Sequence, residues 1–242
     1  MKKSLYQFTV LLTKELKQVF SSLVFSLASL FFLLGTGIPF FYFRRFQFVS
    51  DFALKEYFAS FPLLSVLIFP ALTMNIWADE RKKETELILF ALPVNDWLLV
   101  AGKFSAQLLT YLFLLLMTVP VVIFLPFQEA GTVFTTYTAL FLAGFLCLSL
   151  GQFFSALFSF PAISFICSAA VLLLFNTIHL LPQLISMPGS AAALCTWFSF
   201  AWHFETASRG ILDSRDLVFF IIPALMLLYA NTIFLRYRRC RR

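Results

Sequence analysis

Charge is what this chain has least of. Only 30 of its 242 residues are acidic or basic, 12% against the roughly 25% of a soluble domain. The chain is 61% hydrophobic with a mean hydropathy of +0.90. That much apolar surface has to face lipid and neighbouring helices, which makes the chain an integral membrane protein. No separate soluble domain fits, because the longest stretch between apolar runs, Ile185 to Asp216, is about 32 residues. One transmembrane domain over residues 1–242 is expected.

Motifs of chemistry are missing too. The four cysteines, Cys147, Cys167, Cys195 and Cys240, show no CxxC or Cys/His metal spacing and read as unpaired. There is no phosphate-binding loop: before Gly102-Lys103, Trp97 stands where the first loop glycine belongs, and Phe104 replaces the Ser or Thr. His203-x-Glu205 is not the HExxH zinc helix, and no Ser or Cys sits in a nucleophile motif. No internal repeat, low-complexity segment or cleavable signal peptide is visible. The charged residues all fall outside the centres of the apolar runs, which argues against a proton-coupled carrier, so the energy comes from elsewhere.

What is present is a set of six apolar runs, near residues 20–43, 57–78, 97–127, 133–158, 162–181 and 217–235, each compatible with the roughly 20 residues of a membrane span. They predict an all-α integral membrane protein with six transmembrane helices. Before the first run, Leu5, Phe8, Leu12, Leu16 and Val19 recur at helical spacing opposite Lys and Glu residues. This suits an interfacial amphipathic helix, or a cytoplasmic extension of the first span. Pro62 and Pro70 kink the second span. Lys103 would snorkel back to the interface. In the fourth span Gly144 and Gly151 lie seven positions apart on one helix face, suited to close packing.

The net charge of +6 is explained by its placement rather than by a nucleic-acid partner. Lys and Arg number 13 in the termini and the loops near residues 79–103, against 5 in the opposite loops. By the positive-inside rule both termini are cytoplasmic, as an even number of spans requires.

The charge that exists is concentrated. Asp79 to Asp96 holds eight of the 30 charged residues, between the second and third spans. Thr85 to Leu92 reads as a short helix stopped by Pro93, with Asn95 or Asp96 capping the third span. Leu87, Ile88, Phe90 and Ala91 give that helix an apolar face for the membrane or a partner's groove. A solvated loop that merely enforces topology is the alternative. On the opposite side, Ala191 to Trp202 is apolar but too short to span, which suits a re-entrant helix. His203, Glu205, Asp213 and Asp216 follow it. They read as a hydrolytic site, or as ion pairs among Glu205, Arg209, Asp213, Arg215 and Asp216 with a helix cap at Asp213 or Asp216.

Two stretches carry a family resemblance. Glu80-Arg81-Lys82, Thr85-Glu86, Leu87-Ile88-Leu89, Leu92-Pro93-Val94, Asp96-Trp97 and Gly102-Lys103 form one. His203-Phe204-Glu205 with Ser208 to Asp213 and Arg215-Asp216 form the other. Together they resemble the type-2 ABC transporter permeases, within them the gliding-motility-associated group. The departure is Glu84, where that family has Gly.

The resemblance implies a permease half in the bacterial cytoplasmic (inner) membrane, paired with a second half and with cytoplasmic ABC ATPase subunits that bind ATP and Mg. No cofactor would be bound by this chain, and no residue would be catalytic. Glu80, Arg81, Lys82, Glu84, Thr85, Glu86, Leu87, Leu89, Pro93 and Asp96 would form its coupling helix. Trp197, Trp202, His203, Glu205, Arg209, Gly210, Asp213, Arg215 and Asp216 would form an outer gate segment. Two rivals remain: a membrane-embedded enzyme using His203, Glu205 and Asp213, and a non-transporting scaffold that recruits an ATPase.

Overall fold

The computed structural model describes residues 2–43, 53–91, 94–125, 129–184, 188–208 and 213–241. Among them there is no strand. The helices are α1 (Lys2–Phe20), α2 (Leu23–Ile38), α3 (Ala53–Phe58), α4 (Phe61–Thr73), α5 (Asn75–Lys82), α6 (Thr85–Ala91) and α7 (Asp96–Ile123). Then come α8 (Ala130–Leu157), α9 (Pro161–Thr177), α10 (Leu181–Leu184), α11 (Gly189–Trp197), α12 (Phe200–Ser208) and α13 (Ser214–Arg241). A π-helical turn, Pro39–Phe43, extends α2.

Six helical segments are long and apolar enough to cross a membrane: Leu23–Tyr42, Phe61–Lys82, Asp96–Ile123, Ala130–Leu157, Pro161–Leu180 and Ser214–Cys240. This is the architecture of an all-α, multi-pass membrane protein. The second crossing differs from expectation. Tyr57 belongs to the separate α3, and the helix runs on to Lys82, so Asp79 to Lys82 extend the span as helix instead of ending it.

The bundle is built around α8, which packs against α13, α9, α4, α12 and α7. Its crossing and the second are each 67% buried, whereas the first, fifth and sixth are 28%, 22% and 33% buried and leave broad apolar faces. Glycine sets the closest approaches. A methyl group at Gly144 would lie 2.1 Å from the Tyr111 ring of α7, and one at Gly151 would lie 2.1 Å from Thr73 Oγ1 of α4. The two glycines expected on one surface thus admit two different neighbours. Tyr111 is then held by its hydroxyl, which donates to the Leu140 carbonyl at 2.7 Å.

The amphipathic segment is a distinct helix, broken from α2 at Ser21-Ser22, where Ser22 Oγ accepts from the Val24 N–H at 3.2 Å. It packs along α7, with Leu11 against Gly102, Glu15 at Lys103 and Phe20 at Phe113. That order of contacts sets α1 parallel to the first half of α7, closer to an extension of the first span than to a helix lying flat on the interface. The apolar stretch 191–202 is also broken. α11 stops at Trp197 and α12 starts at Phe200, with Ser199 Oγ accepting from the Trp202 N–H at 3.3 Å.

Candidate functional site

The two ends of the bundle differ chemically. At one end α5, α6 and the start of α7 form a charged hairpin against α1, α8 and α13. At the other, α11 and α12 meet the start of α13, and α3 meets α12.

The hairpin begins with a defect in the second span. Ser155 of α8 pushes its hydroxyl into the helix, where Oγ accepts from the N–H groups of Trp77 (3.0 Å) and Ala78 (3.4 Å) and donates to the Met74 carbonyl (3.0 Å). A side chain inserted into the i to i−4 ladder is a recognised cause of a helix bend. It separates α4 from α5, so the segment carrying Asp79 to Lys82 is jointed to the rest of its span. Arg81 ties that segment to α8 again. Its guanidinium donates to the Leu157 carbonyl at 3.2 Å and to the Ala156 carbonyl, satisfying acceptors at the helix C-terminus.

Lys103 is the centre of the cluster. It does not snorkel: it is 2% exposed, with Nζ 2.7 Å from Glu80 Oε1, 3.2 Å from Glu15 Oε1 and 3.1 Å from the Ile76 carbonyl. The indole of Trp77 lies 4.8 Å from the ammonium. Lys14 approaches both carboxylates, at 3.4 and 3.8 Å, so two acids are balanced by two bases. Taking these charges out of water is unfavourable unless each is paired, and here they are. Gly102 admits Leu11 of α1, whose Cδ2 would lie 2.5 Å from an added methyl group. The Gly-Lys pair therefore docks α1.

Two further acids of the hairpin, Glu86 and Asp96, also face inward. Glu86 is buried and meets Arg238 at 3.2 Å and Arg81 at 3.8 Å. Asp96 is buried and meets Arg239 at 2.8 Å and Arg236 at 3.9 Å. The helix cap is Asn95, whose Oδ1 accepts from the Trp97 N–H at 3.2 Å. Asp96 is therefore not the cap but the anchor for the end of α13.

Of the residues expected to face a partner, Glu80, Arg81, Glu86, Leu89 and Asp96 are thus buried within this chain, while Lys82, Glu84 and Thr85 are exposed, with Lys83 beside them. Of the expected apolar face of α6, Ala91 is exposed. Leu87 lies in α6, its side chain outside those described, as are those of Ile88 and Phe90; Pro93 lies outside the described residues.

Glu84 has φ 58°, the one positive φ at a non-glycine among the described residues. Its N–H donates to the Arg81 carbonyl at 3.1 Å, and Thr85 Oγ1 donates to the Glu80 carbonyl at 3.2 Å. This is a left-handed C-terminal cap of α5, a place that favours glycine. Glu84 thus stands at a position whose backbone favours glycine.

At the far end, two of the acids reach partners on other helices. Glu205 pairs with Lys55 of α3 at 3.0 Å. His203 is buried, with Nδ1 2.5 Å from Asp216 Oδ1 and Nε2 2.8 Å from the Trp197 carbonyl, and its ring stacks on Phe219 at 4.1 Å. Both ring nitrogens lie within hydrogen-bond distance of a partner, the Asp216 carboxyl and the Trp197 carbonyl, so neither faces an open site. Asp216 is His203's partner and Asp213 the helix cap, its Oδ1 accepting from the Arg215 N–H at 3.2 Å. That bond holds the exposed Asp213 carboxyl below the usual carboxylate range. Trp197, Trp202 and Arg215 are exposed, while Arg209 and Gly210 lie outside the described residues. Among the described residues no three His, Cys, Asp or Glu side chains converge as a metal site.

Sequence reasoning missed Ser155, Glu15 and the clamping role of Arg236, Arg238 and Arg239 in α13. Ser155 reads as one small residue among others, and the arginines read as topology signals.

Fold and site together define a multi-pass helical membrane protein with a charged, jointed hairpin at one end. No family model matches the chain, and no curated protein matches its sequence.

Proposed function

We propose that the chain is the transmembrane permease subunit of an ATP-driven exporter, with ATP and Mg bound in a partner ATPase and no catalytic residue of its own. The observation that carries this reading is the hairpin. Its acids Glu80, Glu86 and Asp96 are clamped to α1, α7 and α13, its lysines Lys82 and Lys83 face outward, and its helix is jointed at Ser155. Force applied at the lysines passes through Lys103 and Glu80 to the first and third crossings, and through Glu86 and Asp96 to the sixth. The basic excess at this end supports placing it, and both termini, on the cytoplasmic side of a bacterial inner membrane. The resemblance to type-2 permeases supports a second permease half and the use of α11 and α12 as an outer gate. The enzyme alternative gains nothing from His203, whose ring nitrogens are both engaged.

Affinity purification of the chain from native membranes in mild detergent, with mass spectrometry and an ATPase assay of the eluate, tests the proposal. A P-loop ATPase should accompany the chain. Reversing Lys82 and Lys83 together to Glu should lower its recovery about tenfold, since rim charges contribute about 1 kcal/mol each at most. Recovery of no ATPase with the unaltered chain, or full recovery with the double reversal, would sink the coupling role of the hairpin.

A further inference from the structure

We propose that the cavity at the Lys55 end of the bundle holds the headgroup of one aminophospholipid, a lipid with a phosphate and a primary ammonium. The inference rests on the chain spanning a bilayer and is independent of the exporter reading. The cavity, about 420 Å³, lies among α3, α4, α9 and α12. One wall is apolar and includes Leu63 and Leu173, which are 71% and 46% exposed on the flank of the bundle, so this wall opens toward acyl chains. The mouth carries Lys55 and Glu205, 3.0 Å apart, with Glu56 beside them.

Opposite charges side by side suit a zwitterionic head: phosphate on the lysine, ammonium on the carboxylates. The floor narrows the class further. Asn176, 7% exposed, donates from Nδ2 to the Leu172 carbonyl at 3.0 Å, and its Oδ1 has no partner among the described residues. A buried acceptor calls for a donor. A primary ammonium brings N–H groups, whereas the quaternary ammonium of a choline lipid has none. The hydroxyls of a glycerol headgroup can donate as well, but that head carries no cation to pair with a carboxylate.

Native mass spectrometry of the purified full-length chain, titrated with ethanolamine, choline and glycerol phospholipids of identical acyl chains, tests this. One ethanolamine lipid should bind at about tenfold lower concentration than the choline lipid. Asn176→Leu should bring the two to parity, and Glu205→Gln, at a partly exposed site that leaves the fold intact, should weaken the preference. Equal binding of ethanolamine and choline lipids to the unaltered chain overturns the proposal. So does a preference that survives both substitutions, or a glycerol lipid that binds as well as the ethanolamine lipid. No ATPase enters this experiment, so its failure leaves the exporter reading standing, and the converse holds.

Discussion

The two ends of the bundle solve the same problem, charge beside a membrane, in opposite ways. At the hairpin end four acids are turned inward and each meets bases from other helices, in three clusters that together tie α1, α5, α6, α7 and α13. At the far end Lys55 reaches Glu205 at a partly open rim, and His203 meets Asp216 inside. Clustered pairs tie several helices at once, so a displacement of one is felt by the others. The far-end pairs tie α3 to α12 and α12 to α13, and the cavity lies beside the first of them.

The comparison breaks most plainly at Lys103. Lys103→Met leaves Glu15 and Glu80 buried with only Lys14 near, and loss of one partner from a buried pair costs about 3–5 kcal/mol. The matching change at the other end, Lys55→Met, removes a partly exposed pair worth about 0–1 kcal/mol. Thermal unfolding of both variants in the same detergent should separate them by many degrees, with Lys103→Met the lower. Equal midpoints would mean that water reaches Lys103 and that the network is not buried.

Inside the far end, His203 is the exception to looseness. His203→Ala leaves Asp216 without its nearest donor and should cost about 1–3 kcal/mol, the penalty of an unsatisfied buried group. ATPase activity of the complex should stay near its original level, since no ring nitrogen is available for chemistry. If His203→Ala instead abolished a reaction at this face while stability held, the enzyme alternative would displace the exporter.

Ser155→Ala sharpens the comparison without touching a charge. The N–H groups of Trp77 and Ala78 lose their acceptor, at about 1–3 kcal/mol unless the helix closes its own ladder. Closure would fuse α4 and α5 into one straight helix and remove the joint. The expected outcome is a chain that still recruits its ATPase but no longer drives transport from ATP hydrolysis. Intact transport would show that the joint serves packing alone.

Much of the fold was legible because a membrane span is a one-dimensional signal: about 20 apolar residues in a row, punctuated by charge. The six crossings follow from that. The partners of the charges do not, since they are set by packing between distant segments. Glu86 and Arg238 are 152 positions apart, and no spacing rule reaches that far. For the same reason Arg238 and Arg239 read as orientation signals although both also clamp the hairpin. Lys103 reads as a snorkelling residue because only the arrival of α1 and α5 surrounds it with carboxylates. The amphipathic segment was open between two readings because its periodicity shows an apolar face and not which neighbour covers it.

The smallest effect concerns the joint between the two helices of the hairpin, and it has the opposite sign. At φ 58° the Cβ of Glu84 crowds the backbone, a conformation that costs a non-glycine residue about 1–2 kcal/mol. The Glu84 side chain is exposed, so little is lost by removing it. Glu84→Gly should therefore stabilise the chain by about 0.5–1 kcal/mol, less than the full strain because glycine also gives the unfolded chain more freedom. A modest rise in the unfolding midpoint is the expected result, with recruitment of the ATPase unchanged. A fall in the midpoint would mean that the Glu84 carboxylate holds the exposed lysines in place, and that the basic face of the hairpin is organised by its own acid as well as by the buried network.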